Sequence, residues 1–162
     1  MSFKVTKTID REANRLVKNY PEKRSASLMV LHAIQEEFGY ISKDAEVWAA
    51  EKLGLKPINI HELVTFYPML REHDPGKTLV RVCRTLSCAL AGSHKLHEHI
   101  CDKLGLDKNG HGLQRTKDGK FGVEFAECLA SCGTGPVMMC NNDFYEAVSN
   151  EESEEILKKY DA

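Results

Sequence analysis

Apolar residues recur at three- and four-residue steps through the first part of the chain, and they alternate or run in short blocks after it. The first pattern predicts helices, the second strands. Asp10 to Tyr20 places Ala13, Leu16, Val17 and Tyr20 on one helical face, and Pro21 ends the segment. Ser25 suits the N-cap of a second helix. In that helix Ala26, Met29, Val30, Ala33, Ile34 and Phe38 form a stripe broken only by Glu37, and Gly39 closes it. Ser42 is placed to cap a third helix holding Ala45, Trp48, Ala49 and Leu53, closed by Gly54. Pro57 fits the first turn of a fourth, with Ile60, Leu63, Val64 and Tyr67 inward and Pro68 as the stop. Short helices with brief links predict a small bundle.

Residues 71–78 are polar and contain Pro-Gly, a turn signal. Two domains are expected on either side: 1–72, helical, and 78–162, mixed. In the second, Leu79 to Val82 reads as a strand running into Cys83. A helix from about Gly92 to Leu104 follows, with Leu96, Ile100 and Leu104 on one side and Cys101 beside them. His94, His97 and His99 lack the four-residue spacing of a helical zinc pair, so a solvated face is expected for them. Leu113–Thr116 and Phe121–Ala126 flank Lys117-Asp118-Gly119-Lys120, a hairpin signal. Val137–Cys140 and Phe144–Val148 flank a second turn. Ser149 to Tyr160 reads as a closing helix with Ser149 as cap and Glu152 as its return partner. The fold class expected is α+β.

Charge changes this picture little. The net charge of −2 with 28% charged residues gives no basic surface for nucleic acid. No apolar run approaches the roughly 20 residues of a membrane span. The first ten residues hold no apolar core segment of a secretory signal, so a reducing cytoplasm is expected, and structural disulfides are disfavoured there. Six cysteines then point to metal or redox chemistry.

Four of the cysteines fall in two short runs, Cys83-Arg-Thr-Leu-Ser-Cys88 and Cys128-Leu-Ala-Ser-Cys132. Each run follows a predicted strand, and Gly133-Thr134-Gly135-Pro136 lets the backbone turn closely after the second. Four thiolates need a metal, an iron–sulfur cluster or oxidation to hold them together. Structural zinc is geometrically possible with both gaps. Gaps wider than two residues favour a larger body with two metal atoms, as in a 2Fe–2S cluster. No C-x-x-C pair argues for a thiol–disulfide enzyme. His32 and His61 lack partner ligands at helical spacing and are expected as surface or capping residues. Cys101 and Cys140 read as buried free cysteines, although Cys140 lies near enough to Cys132 to stand in for a lost ligand.

The stretch Val82-Cys83-Arg-Thr-Leu-Ser-Cys88, with Glu127-Cys128-Leu-Ala-Ser-Cys132-Gly-Thr-Gly-Pro136-Val137-Met138, resembles the thioredoxin-like 2Fe–2S ferredoxin family. Within it the chain looks like the 24 kDa-type subunits of NADH:quinone oxidoreductase (complex I). Tyr20-Pro21-Glu-Lys-Arg24-Ser25-Ala26, Gln35-Glu-Glu-Phe-Gly39-Tyr40-Ile41 and Thr65-Phe66-Tyr67 extend the resemblance over nearly the whole chain. One position departs: the family commonly has Gly where this chain has Ala130. If that position needs a positive φ, alanine costs about 1 kcal/mol.

The resemblance implies a thioredoxin-like domain after the helical bundle. It implies one 2Fe–2S cluster on Cys83, Cys88, Cys128 and Cys132, off the main electron path, where it holds one electron briefly. It also implies a 51 kDa-type partner subunit that binds FMN and NADH, since this chain shows no phosphate-binding glycine loop of its own. The helical part is expected to dock on that partner through Phe66–Leu70. Arg84 beside the first ligand, and the hydroxyls of Thr85, Ser87 and Ser131, are expected to raise the cluster potential. Rival readings are the same role in the diaphorase part of an NAD-linked hydrogenase or formate dehydrogenase, and a zinc-stabilised interaction module without redox activity.

Overall fold

The computed structural model describes residues 3–161. It divides into two compact units, Met1–Asp74 and Pro75–Ala162.

The first unit holds α1 (Lys7–Val17), α2 (Ser27–Phe38), α3 (Lys43–Leu53) and α4 (Pro57–Phe66). The helix α1 starts earlier than its apolar pattern suggests because Thr6 caps it, its hydroxyl accepting from the Ile9 N–H at 3.1 Å. Ser25 does not cap α2. A turn of 3-10 helix over Lys23–Ala26 carries the chain into α2, and no side chain caps the junction. The buried stripe of α2 is also rotated from the expected one: Ser27, Val30, Leu31 and Ile34 are inside, and Met29 is exposed. Glu37 therefore does not interrupt the stripe. It lies outside it and accepts the Thr6 hydroxyl. Gly39 and Gly54 end their helices in the left-handed conformation, and Ser42 caps α3 through the Ala45 N–H. Ile9, Ala13, Val30, Leu31, Ile34, Ala45, Ala49, Ile60 and Val64 form the core.

Polar side chains pin the tail of this unit. Gln35 donates to Met69 O and accepts from the Arg71 N–H, both at 2.8 Å. Lys43 Nζ sits 3.1 Å from Glu46, 2.9 Å from Glu72 and 2.8 Å from His61 Nδ1. Glu46, His61 and Glu72 are clustered closely enough to hold a metal ion, but the lysine ammonium already supplies the positive charge there. His61 thus belongs to a polar network of Lys43, Glu72 and the buried Glu46.

The second unit is a five-stranded sheet in the order β2-β3-β1-β4-β5. The strands are β1 (Thr78–Cys83), β2 (Gln114–Arg115), β3 (Phe121–Ala126), β4 (Met138–Cys140) and β5 (Asp143–Tyr145). The central pair, β1 and β3, is parallel, and the other pairings are antiparallel. Parallel neighbours need a crossover, and the helix α6 (Ser93–Leu104) lies in it. A short helix before it, α5 (Leu86–Leu90), carries Cys88. The closing helix α7 (Asn150–Tyr160) has the expected capping box of Ser149 and Glu152. Val80, Val82, Leu96, Ile100, Phe121, Val123 and Met138 fill the core.

His97 corrects the expected solvated face of α6. It is only 2% exposed, its ring stacked on Phe125 with centroids 3.9 Å apart, and Cys101 Sγ lies 3.8 Å from it. Positions 93, 97 and 101 step by four and widen the apolar stripe of 96 and 100, so the side facing β3 includes the histidine. His94 stays exposed, and His99 pairs with Glu154 at 3.0 Å. Burial disfavours the charged His97 ring, and His94 adds repulsion that Glu98 only partly offsets, so His97 titrates below the ordinary 6.5. The unfolded chain then takes the proton first as pH falls. Stability from this site is full above about pH 6.5 and is lost as pH drops towards the lower folded value. In thermal melts of the metal-free chain, His97→Phe is expected to keep the stack and flatten the decline below that pH. An unchanged pH profile would show that His97 stays neutral at no cost.

Candidate functional site

The parallel pairing of β1 and β3 sets Cys83 opposite Ala126, so both strands stop at the same level. Each then delivers a cysteine run. Two bonds tie the runs at their roots: the Arg84 N–H donates to Ala126 O at 2.9 Å, and the Cys83 N–H to Val137 O at 3.0 Å. The Arg84 guanidinium, just after the first cysteine, pairs with the Glu127 carboxylate, just before the third. The positive charge expected to raise a potential at Arg84 is therefore matched by a negative one.

Cys83 and Cys88 are both 2% exposed and pack with Val137 under Leu129. Cys128 and Cys132 are exposed. Burial resists ionisation of Cys83, but the hydroxyl and N–H of Thr85, the Leu129 N–H and the Cys88 thiol outweigh it, and its pKa lies below the ordinary value. Burial raises Cys88, and the neighbouring Cys83 and Cys132 sulfurs raise it further against the Val137 N–H. The structure thus brings Cys83, Cys88 and Cys132 within electrostatic reach. Cys128 accepts an N–H from Ala130 at 3.4 Å. Thr85 Oγ1 lies 3.3 Å from Cys83 Sγ, as expected for a hydroxyl tuning that sulfur.

Ala130 is in the left-handed region, φ +61°. That conformation turns its N–H onto Cys128, and alanine bears the strain. Ala130→Gly is expected to stabilise the chain by about 1 kcal/mol in denaturant unfolding; a loss of stability would mean that the turn carries no strain.

Gly135 closes the site from the other side. A Cβ there would stand 3.2 Å from Ala91 Cβ and 3.4 Å from Cys88 Sγ. The turn after the second run therefore lies directly against the helix that carries Cys88. Three thiols within reach of one another, a fourth in the same run as Cys132, N–H donors aimed at sulfur and a backbone pressed close by a missing side chain suit a sulfur-rich inorganic group.

The other two cysteines stand apart from this chemistry. Cys101 and Cys140 are fully buried, and burial lifts their thiols to about 11 and about 12. Both stay protonated at neutral pH and make poor ligands. Cys140→Ala is expected to keep the full iron content of the wild type; a large loss would make it a ligand.

A model of the thioredoxin-like [2Fe-2S] ferredoxin family matches residues 13–161. The chain belongs to that family. Relatives agree. The E-type component of the NADH-quinone oxidoreductase of Aquifex aeolicus is 34% identical over 158 residues, 98% of this chain and 96% of that protein. Its counterpart in Mycobacterium bovis is 31% identical over 92% of this chain, which spans 58% of that longer relative. A counterpart in Rhizobium meliloti is 29% identical over 96% of this chain and 90% of its own. Among solved structures, an NAD+-reducing [NiFe]-hydrogenase in the air-oxidized state aligns with a TM-score of 0.68 at 18% identity, over 81% of this chain and 22% of that one. At that identity the likeness is one of fold. Ferredoxins of this family carry a 2Fe–2S cluster, as the family's description says. Among the described residues no helix is long and apolar enough to cross a membrane.

Two features have no signal in the sequence. The short α5 spans too few residues for periodicity to reveal it. Glu146, which accepts from both Ser131 and Thr134, lies 15 and 12 residues from its partners with no local motif to announce it.

Proposed function

We propose that Cys83, Cys88, Cys128 and Cys132 hold one 2Fe–2S cluster, and that the chain is the electron-transfer component of the NADH dehydrogenase module of a complex I-type enzyme. The observation that carries the reading is the convergence of both cysteine runs at the ends of β1 and β3, in a chain matched by the ferredoxin family from residue 13 to 161. A cluster bound there supplies a site that accepts and returns one electron at a time. The residues of the chain set its surroundings. Val137 and Leu129 keep water from the buried sulfurs of Cys83 and Cys88. The N–H groups of Ala130, Val137 and Leu129 face sulfur and favour its negative charge. Arg84 and Glu127 join the two runs without adding net charge.

NADH gives up two electrons as a hydride, so a flavin must stand between it and a one-electron site. In this reading FMN and NADH bind to a 51 kDa-type partner subunit in the cytoplasm. Residues 78–162 carry the cluster and residues 1–72 dock on the partner. Phe66, 76% exposed, and Met69, 49% exposed, offer an apolar corner for that contact, while Leu70 is buried beneath it. The same role in an NAD-linked hydrogenase is the second reading, supported by the fold likeness to the NAD+-reducing enzyme.

The test is co-expression with the neighbouring flavoprotein subunit. NADH should reduce the cluster, seen by EPR, only when that flavoprotein is present, and Phe66→Ser with Met69→Ser should weaken co-purification. Reduction by NADH of the chain alone, or no reduction in a formed complex, would defeat the proposal.

A further inference from the structure

The turn that carries Cys132 is held by a carboxylate from outside both cysteine runs. Ser131 Oγ and Thr134 Oγ1 bracket Cys132 and both donate to Glu146 Oε1, with the two hydroxyl oxygens 2.7 Å apart. Glu146 follows β5. The backbone repeats the join: the Ala147 N–H donates to Thr134 O at 2.7 Å, and the Val148 N–H to Pro136 O at 3.0 Å. Ala147 takes a left-handed φ of +51° in making that approach. A non-glycine residue there bears strain, which the surrounding contacts must hold in place.

Proton accounting gives the clamp a second consequence. Each hydroxyl has one proton to donate, and an ionised carboxylate only accepts. A charged acceptor wins over a neutral one. With both protons on Glu146, neither hydroxyl has one left for a cluster sulfur. Ser131, expected as a donor to sulfur, here donates to Glu146 instead.

We propose that Glu146 is a positioning residue for the cluster: its carboxylate fixes the 131–134 turn around Cys132 and withholds the hydroxyl protons of Ser131 and Thr134 from sulfur, keeping the potential low. The proposal rests on the reading that Cys132 is a cluster ligand. Glu146 is exposed, so its replacement should not unfold the chain, and circular dichroism checks this for each variant.

The experiment uses the full chain with its cluster, comparing wild type, Glu146→Gln, Glu146→Ala and Ser131→Ala combined with Glu146→Ala. Iron release to a chelator should be at least about tenfold faster in Glu146→Ala, which loses both hydrogen bonds of the turn to a charged acceptor. The midpoint potential of Glu146→Ala should move upward, with shifted EPR g-values, and that of Glu146→Gln should move less, because the amide oxygen still accepts from the hydroxyls. Removing the Ser131 hydroxyl in the Glu146→Ala background should bring part of the shift back, because the freed proton is gone. A purely mechanical clamp would not produce that reversal. Wild-type release rates and potentials in every variant would overturn the proposal alone. A wild-type chain that holds no iron would overturn it together with the cluster reading.

Discussion

Cys132→Ala should yield a folded chain that has lost its cluster. Cys132 is exposed and fills no core space, so its removal should change the stability of the metal-free chain by less than about 0.5 kcal/mol. Iron and acid-labile sulfide should nevertheless fall at least about tenfold, because the loss of one thiolate leaves an iron short of its ligand set. The same substitution at Cys88 mixes two effects, since that side chain is buried against Val137. The exposed cysteine therefore separates ligation from packing. Analysis of metal content alongside denaturant unfolding of the metal-free chain checks both halves. Full iron retention in Cys132→Ala would remove it from the ligand set.

Gly135→Val should act with comparable force from a residue that donates nothing to metal. The first added carbon already meets Ala91, and stands 3.3 Å from Cys88 Cα and 3.4 Å from Cys88 Sγ. The two further methyl groups of valine reach beyond it, so α5 and the turn after Cys132 must part. Overpacking of this kind costs about 1–3 kcal/mol, and here the displacement separates the two cysteine runs. Iron content should fall by at least about half, with the metal-free chain also destabilised. Gly133→Ala is the control: nothing lies within 4 Å of a Cβ at that position, and its φ is not in the left-handed region. Equal iron in Gly135→Val and Gly133→Ala would mean that the approach of Gly135 to Cys88 does not matter.

Periodicity and end signals in the sequence carried most of the architecture. Ser42 and Gly54 bound α3, Pro57 opens α4, and Ser149 with Glu152 opens α7, each by a bond or dihedral confined to a few neighbouring residues. Local chemistry of that kind can be read from a string. The cysteine runs were legible for the same reason, since spacing alone limits what four thiols can bind.

Two misses were local: a 3-10 turn displaces Ser25 from the cap of α2, and α5 is too short to show a period. The rest of what was not legible depends on residues far apart in the chain. His97 is buried because β3 brings Phe125 against it, a pairing across 28 positions that the helix alone does not reveal. Lys43 is claimed by Glu72, 29 residues away, and Arg84 by Glu127, 43 residues away. Ala130 shows the middle case. The sequence raised the question of its φ, and only the turn that aims its N–H at Cys128 answers it.

The central claim is that two strand ends bring four thiols together around one cluster. Iron, sulfide and zinc assayed on the anaerobically purified chain, with a low-temperature EPR spectrum before and after reduction, test it most directly. About two irons and two sulfides per chain are expected, with a signal that appears only on reduction. A colourless chain holding one zinc and no sulfide would contradict the claim and leave a zinc-stabilised module in its place.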